Sequence, residues 1–187
     1  MNRDIGELVK KVTKGDREAF AELVRRYKKK IYSVAYRMLG NHLDADEVTQ
    51  ETFVRVYKRR HELKSVSYFS SFILRIATNY SIDLIRRRQK GFISVDDLSL
   101  YPEVQIELSG KIIKPDRNLE NAEILLEISR AIEKLPPRQK MAVILHDIEG
   151  YSKAEIAYAL SCPQATVRSN LHIARRKLRK WLSKTFE

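Results

Sequence analysis

The chain has 187 residues, 43% of them hydrophobic and 32% charged, which is enough for one ordinary domain or two small ones. Its formal net charge of +12 indicates a negatively charged partner, either a nucleic-acid backbone or an anionic membrane surface. No apolar run approaches the roughly 18 residues of a spanning helix, and the N-terminus does not resemble a signal peptide. A lone cysteine, Cys162, excludes an internal disulfide and a multi-cysteine metal site. We therefore expect a cytoplasmic protein that does not insert into membranes.

The positive charge is concentrated in two blocks. Residues 1–91 contain 21 basic and 11 acidic side chains, and residues 151–187 contain 8 basic and 2 acidic ones. The stretch between them carries a small excess of acid. Two basic blocks separated in this way predict two regions of contact rather than one uniformly basic surface.

Hydrophobic spacing predicts helices throughout the first block. Asp16 can cap the start of a long helix that Gly40 ends. Asp44, with Glu47 three residues later, resembles a capping box at the start of the next helix. A further helix is predicted from Tyr68 to about Arg88, with an apolar stripe on its inner side.

The long helix also carries a second stripe roughly opposite its apolar one. The stripe consists of Arg75, Asn79, Ile82 and Arg86. An asparagine there can bond a base edge while the arginines hold phosphates. A merely solvated face is the alternative that spacing alone leaves open.

Beyond the long helix the helical pattern fails, because glycines and prolines interrupt it up to Arg117. We predict an all-α protein of two small helical domains, residues 1–91 and 118–187, joined by an extended linker at residues 92–117. At about 3.3 Å per residue, such a linker reaches roughly 90 Å, comparable to roughly 25 base pairs.

The second domain ends in a predicted helix-turn-helix. A short helix capped by Ser152 is followed by a break at SCP and then by a basic helix. Val167, Leu171 and Ala174 should pack inward. The side chains left for the DNA major groove and its backbone are Gln164, Thr166, Arg168, Ser169, His172, Arg175 and Arg176.

Four of these side chains have a specific predicted use. Arg168 can bond guanine through two parallel hydrogen bonds, and Gln164 can do the same with adenine. Arg175 and Arg176 suit neutralisation of the phosphate backbone. The alternative is a solvated basic helix with no ligand.

The acidic residues near Asp44 do not suggest catalysis. No histidine lies nearby on the same helix face, and the chain has no nucleophile motif and no phosphate-binding loop. We expect neither an enzyme nor a protein with a metal or other cofactor.

Two pairs of segments resemble one family. DADEVTQETFVRVYK (44–58) and FSSFILRIATNYSIDLIRRR (69–88) resemble region 2 of the extracytoplasmic-function (ECF) sigma factors of bacterial RNA polymerase. LPPRQKMAVILHDIEGYSKAEIAYAL (135–160) and TVRSNLHIARRKL (166–178) resemble region 4 of the same family. The resemblance covers both predicted domains, in the family's order.

The resemblance implies a non-enzymatic initiation subunit. Region 4 would bind the −35 element as duplex, and region 2 would help open the −10 element and capture bases of the non-template strand. The implied −10 contacts are Lys64, Ser65, Arg75, Asn79, Arg86 and Arg87.

The resemblance also implies partners. A helix of region 2 would dock on the clamp helices of the polymerase β′ subunit, and region 4 would contact the β flap. An anti-sigma factor and an envelope or other stress signal are implied as the means of control. The implied docking residues are Asp44, Asp46, Glu47, Val48, Gln50, Glu51 and Phe53.

Four positions depart from the family pattern, and two of them, Asn170 and Ile173, are often basic in the family. Phe72 stands where the family usually has tryptophan. Ser161 stands in the turn where glycine is common, and a left-handed backbone there would cost roughly 1 kcal/mol. These departures bear on which promoter sequence is recognised and not on the class of protein.

Two other classes of protein are alternatives. One is a transcriptional regulator with a helical sensor domain, which would not need the basic first block. The other is a DNA-processing enzyme such as a recombinase, for which the sequence shows no assembled nucleophile or metal constellation. Run-off transcription with purified core polymerase separates a sigma factor from both.

Overall fold

The computed structural model describes residues 2–63, 66–89 and 119–183, and these residues form helices joined by short turns. The predicted linker, residues 92–117, lies outside them, as do Lys64 and Ser65. The all-α prediction is confirmed. The N-terminal unit contains α1 (Asn2–Thr13), α2 (Arg17–Leu39), α3 (His42–Lys58) and α4 (Val66–Gln89). The C-terminal unit contains α5 (Leu119–Glu133), α6 (Pro137–Val143), α7 (Lys153–Ala159) and α8 (Gln164–Ser183).

The ends of α2 agree with the prediction from the sequence, whereas the start of α3 does not. The Asp16 side chain accepts a hydrogen bond from the Ala19 amide, and Gly40 ends α2 with a φ of 78°. Helix α3 begins at His42, and its cap is Asn41, whose side chain accepts from the Asp44 amide at 2.8 Å. The predicted capping box at Asp44 is therefore wrong, because an asparagine three residues earlier already caps the helix.

The N-terminal unit has its own apolar core. Helices α1 to α4 bury large side chains that are at most 7% exposed, among them Leu23, Phe53, Phe69 and Ile73. Phe72, at the position where tryptophan was expected, is 3% exposed and keeps a packing role.

The C-terminal unit forms the predicted helix-turn-helix. Helix α6 runs on into a π-helical turn at Ile144–Ile148. Ser152 caps α7 in a full capping box with Glu155, as the sequence predicts for Ser152. After α7 the chain turns through Ser161 and enters α8 at Gln164.

The two units share a second apolar core. Four buried side chains of the N-terminal unit join one cluster with α6, α7 and α8: Val34, Met38, Leu74 and Ile82. The prediction that Ile82 faces away from any core is wrong, since it is 5% exposed and covered from the other unit. The sequence left the arrangement of the units open, and in the structure they form one packed body.

Candidate nucleic-acid interface and docking helix

The first half of α8 presents a polar face on an apolar support. Val167, Leu171 and Ala174 are at most 3% exposed, which confirms that they pack inward. The opposite side is exposed, and its side chains form no hydrogen bond or ion pair with any residue that the structure describes. These side chains belong to Gln164, Thr166, Arg168, Ser169 and His172.

The turn before α8 fixes the direction of this face. Ser161 has a φ of 51°, so the predicted left-handed residue is confirmed. Its amide donates to the Tyr158 carbonyl at 3.2 Å, and the Cys162 amide donates to the Ala157 carbonyl at 2.9 Å. These two bonds are those of a Schellman motif, which normally takes glycine at the left-handed position.

Farther along α8, Arg175 is engaged within the protein. Its guanidinium donates to both carboxylate oxygens of Asp147, at 2.5 and 3.2 Å. Burial would raise the pKa of Asp147, but hydrogen bonds from Arg175 and His146 together hold that pKa below its usual value. Arg176 is exposed. Sequence spacing could not reveal the pairing of Arg175, because its partner lies on a distant segment.

On α4, Arg75 and Asn79 are both exposed and border one small pocket. The pocket holds about 110 Å³ and lies between α3, the turn after it, and α4. Its lining consists of Arg55, Arg59, Phe72, Arg75, Ile76 and Asn79. Sequence reasoning missed Arg55 and Arg59, because only the packing of α3 against α4 brings them beside Asn79.

Aromatic rings hold the arginines of this pocket in place. The Arg59 guanidinium lies over the Phe72 ring at 5.2 Å, and that of Arg55 lies over the Tyr80 ring at 4.6 Å. A cationic pocket with a ring in its wall suits a flat, electron-rich group next to a phosphate.

The C-terminal end of α4 adds further positive charge. Arg86 and Arg87 are exposed, and Arg86 lies 3.8 Å from the carboxylate of Asp83. Arg88 instead turns back and pairs with Asp44. Of the predicted −10 contacts, Lys64 and Ser65 lie outside the described residues.

The predicted docking helix α3 divides into exposed and buried residues. Asp46, Glu47 and Gln50 are exposed, and Glu51 is partly so. Two exposed apolar side chains continue this face, Leu43 at 75% and Val54 at 44% exposure. Neither side chain was predicted from the sequence to lie on this face.

Three predicted docking residues are buried and support the helix instead. Val48 is fully buried and Phe53 is 7% exposed, both in the core of the N-terminal unit. Asp44, also 7% exposed, pairs with Arg88 and accepts from the Asn41 amide group at 2.7 Å. Their part in the predicted docking surface is corrected accordingly, because a side chain inside the fold offers no contact to a partner.

The docking face and the pocket are joined by a short polar network. The Tyr80 hydroxyl donates to Glu47 at 2.6 Å, and this bond, with burial, raises the pKa of Tyr80 to about 12. Arg55 donates to Glu51 at 2.7 Å while lying over Tyr80. Acids on the outer side of α3 thus hold the groups that shape the pocket.

Two kinds of site are absent from the part of the chain that the structure describes. No helix there is long and apolar enough to cross a membrane. Nor does any group of three or more histidine, cysteine or acidic side chains there have an arrangement that could hold a metal ion.

Family models and relatives match the chain over both units. The model for Sigma-70 region 2 matches residues 23–91, and that for Sigma-70, region 4 matches residues 125–178. The ECF RNA polymerase sigma factor SigW of Bacillus subtilis is 35% identical over 186 residues, which cover 97% of this chain and 98% of that protein. The ECF RNA polymerase sigma-E factor of Escherichia coli K12 is 33% identical over 171 residues, covering 90% and 88%.

Solved structures have the same fold. CnrH in complex with the cytosolic domain of CnrY gives a TM-score of 0.68 at 22% identity, covering 95% of this chain and 96% of that one. RpoE in complex with the anti-sigma factor NepR from Bartonella quintana gives 0.66 at 19% identity, covering 88% and 96%. With relatives of this identity and coverage, the chain belongs to the ECF family of RNA polymerase sigma factors, which are transcription initiation factors rather than enzymes.

Proposed function

We propose that α8 reads the −35 element, that the α3–α4 pocket takes a base of the −10 element, and that the outer face of α3 docks on the β′ clamp helices. Residues 1–91 would then act as region 2, residues 118–187 as region 4, and residues 92–117 as the linker. The observation that carries the proposal is the first half of α8, where five polar side chains stand exposed on a buried apolar support.

For the −35 element, the N-terminal turns of α8 supply the reading groups. Arg168 is exposed and has the donor fork that matches guanine, and Gln164 offers an amide that matches adenine. Ser169, Thr166 and His172 complete the face. Arg176 suits contact with a backbone phosphate. Arg175 would either break its ion pair with Asp147 to contact a phosphate, or contact the phosphate while it stays paired.

For the −10 element, the pocket beside Asn79 supplies a place for an unstacked base. Asn79 offers both a donor and an acceptor at the rim, and Phe72 offers a ring in the wall. Arg75, Arg86 and Arg87 would hold the phosphates of the separated strand along α4. Lys64 and Ser65, which precede α4 in the sequence, stay part of this proposal.

For docking on polymerase, the outer face of α3 combines acids with apolar side chains. Asp46, Glu47, Gln50 and Glu51 would bond or pair with the β′ clamp helices. Leu43 and Val54 flank them, and contact with the clamp helices would bury their exposed apolar surface, which favours association. Region 4 would contact the β flap.

The means of control and the place of action are also proposals. Two structural neighbours were solved with partners, CnrY and the anti-sigma factor NepR. We infer that an anti-sigma factor restrains this chain, that its release answers a stress or envelope signal, and that the protein works in the cytoplasm.

Run-off transcription with purified bacterial core polymerase tests the proposal. Core plus this chain should yield transcripts of defined length from a subset of promoters, whereas core alone should not. A DNA-binding regulator would bind promoter fragments yet leave core inactive. Absence of both core binding and specific initiation would refute the proposal.

A further inference from the structure

Helix α8 carries one arginine that is bonded along one edge of its guanidinium and open along another. We propose that Arg175 stays paired with Asp147 on the promoter and presents its open edge to one backbone phosphate, so that Asp147 is a positioning residue that raises selectivity for the −35 element. The inference deepens the proposed function and rests on it, because it uses the assignment of α8 to that element.

The guanidinium of Arg175 uses only its side edge within the protein. Nε donates to Asp147 Oδ2 at 3.2 Å, and Nη2 donates to Asp147 Oδ1 at 2.5 Å. Further N–H donors on Nη1 and Nη2 form the end of the planar fork, which can bond two oxygens of a phosphate. No other residue that the structure describes bonds this guanidinium, and the Arg175 side chain is 52% exposed. The end of the fork is therefore open to a ligand while the side edge stays occupied.

The carboxylate of Asp147 is itself held in place. Asp147 lies in the π-helical turn whose first two residues, Ile144 and Leu145, are fully buried. His146 Nδ1 donates to Asp147 Oδ1 at 2.9 Å. Both carboxylate oxygens are thus engaged, and the backbone that carries them is anchored in the core. The carboxylate has little freedom to move, and the guanidinium of Arg175 that is bonded to it has little more.

Arg175 lies on the same side of α8 as the proposed reading groups. It follows Arg168 by seven residues and His172 by three, and residues at these spacings share one side of a helix. Seven residues advance about 10 Å along the helix axis. A recognition helix reads bases with its first turns, in a major groove about 12 Å wide. Because Arg175 lies beyond those turns, it would meet the backbone at the edge of the groove rather than a base.

A phosphate contact held at one place favours the cognate site over other DNA. At the −35 element, base contacts such as that proposed for Arg168 fix the register, so one phosphate always lies at the same position. An arginine that is already held there loses little rotamer freedom on binding. Other DNA has no fixed register, so Arg175 gains less there, while the negative charge of Asp147 still weakens attraction to phosphates. The pair therefore raises affinity for the element relative to other DNA.

The next residue of α8 provides a contrast within the same helix. Arg176 is exposed and bonds to no residue that the structure describes. Such a side chain adapts to any phosphate within reach, so its contribution does not depend on the DNA sequence. The two adjacent arginines should therefore differ in their effect on selectivity, although they carry the same charge.

Holoenzyme made from core polymerase and the full chain tests the proposal on two labelled promoter fragments. One fragment carries a −35 element selected by the native holoenzyme from a random library, and the other carries that element scrambled. Arg175→Lys keeps the charge but cannot bond Asp147 and a phosphate through two edges. By fluorescence anisotropy it should weaken binding to the selected fragment about three- to tenfold and leave the scrambled fragment nearly unchanged. Arg176→Ala, as the contrast, should weaken binding to both fragments by similar factors.

Removal of the carboxylate should have an effect opposite in sign to that of charge alone. Asp147→Ala takes a negative charge from a surface that faces DNA, which by charge alone would tighten binding to both fragments. We expect weaker binding to the selected fragment and equal or tighter binding to the scrambled one. In an Arg175→Ala background, Asp147→Ala should no longer weaken binding, because it acts through that arginine. Glu127→Ala is the control, an acid of the same unit paired to Arg130 within α5.

Three results would overturn the role of Asp147. They are an unchanged ratio of the two affinities in Arg175→Lys, tighter binding of Asp147→Ala to both fragments, and a loss in Asp147→Ala that persists without Arg175. Denaturant unfolding of the free chain identifies a variant that does not fold. If Asp147→Ala fails in this way, Arg175→Lys decides, since it leaves the carboxylate in place.

Failure of the proposed function gives a different result. A native holoenzyme that binds both fragments equally would refute the assignment of α8 to the −35 element, and the role of Asp147 with it. A native holoenzyme that distinguishes the fragments, together with variants that keep the native ratio, would overturn the role of Asp147 alone.

Discussion

Helix α8, proposed for the −35 element, and the pocket proposed for the −10 element present their polar groups in opposite ways. On α8 the reading side chains project from a single helix and, among the described residues, bond to nothing else. In the pocket, Arg55 is tied to Glu51, and Arg55 and Arg59 lie over aromatic rings contributed by α4. The comparison teaches that the proposed −35 surface is formed by one helix in the free chain, whereas the proposed −10 pocket, and the docking face bonded to it, depend on the packing of α3 against α4.

The largest expected effect concerns the proposed docking face of α3. Replacing Asp46 and Glu47 with lysine should weaken core binding by about 3 kcal/mol or more. The reason is that the lysines would repel the basic side chains with which these acids are proposed to pair on the clamp helices. Binding of the full chain to a −35 duplex should not fall. Competition with a labelled sigma factor for core measures the first quantity, and fluorescence anisotropy measures the second.

The control for the docking variant is Glu7→Lys, an exposed charge reversal on α1. Glu47→Gln separates two effects, since it removes the charge but can still accept from Tyr80. Unchanged holoenzyme formation in the lysine variant would remove α3 from the docking surface.

The next effect concerns the −35 surface. Arg168→Ala should weaken binding to a cognate −35 duplex by about 1–3 kcal/mol, with the loss confined to one base pair. Binding to a library of single-base variants measures this. An equal loss on random DNA would mean that Arg168 contacts only phosphates. Arg179→Ala, an exposed arginine near the end of the same helix, is the matched control for loss of charge.

A smaller effect is expected for the −10 pocket. Asn79→Ala should slow strand opening, with a loss of about 1–2 kcal/mol in capture of the separated strand. Open-complex formation on duplex and pre-melted templates measures it, and pre-melting should rescue most of the activity. If pre-melting rescued nothing while initial duplex binding was lost, Asn79 would belong to a different step. Glu18→Ala, an exposed change on α2 outside the proposed sites, is the control.

The smallest expected effect concerns the turn that leads into α8. Ser161→Gly should stabilise the protein by at most about 1 kcal/mol, because glycine adopts the left-handed backbone without strain. Denaturant unfolding measures the change. Since the units share a core, the shift should appear in one common transition, and a shift confined to part of the signal would show that the units unfold separately. If Ser161→Gly destabilised the protein, the result would contradict backbone strain at Ser161.

Sequence reasoning predicted most of the fold because its signals are local. The inward set on α8 follows helical spacing, the cap at Ser152 follows from a serine placed directly before an apolar helical pattern, and the stop at Gly40 follows from glycine's conformational freedom. The predicted cap of α3 was wrong because Asn41, three residues before Asp44, caps the helix with its side chain.

The parts that sequence reasoning missed depend on contacts between distant segments. Nothing in the spacing of α4 shows that Ile82 is covered by the other unit. The pairing of Asp44 with Arg88 likewise joins the start of α3 to the end of α4, and it removes a predicted docking acid. The pocket beside Asn79 needs side chains from three elements, so no single stretch of sequence could have outlined it.

The apolar cluster shared by α2, α4 and the helix-turn-helix has a practical consequence for dissection. A fragment that stops at Gln89 would turn Val34, Met38 and Leu74 toward water, and a fragment that begins at Leu119 would strip the matching side from α6 and α8. Such bare faces favour self-association. Isolated fragments should therefore be more prone to dimerise or precipitate than the intact polypeptide. Binding affinities measured on such fragments would include contacts by apolar surface that is buried in the intact protein.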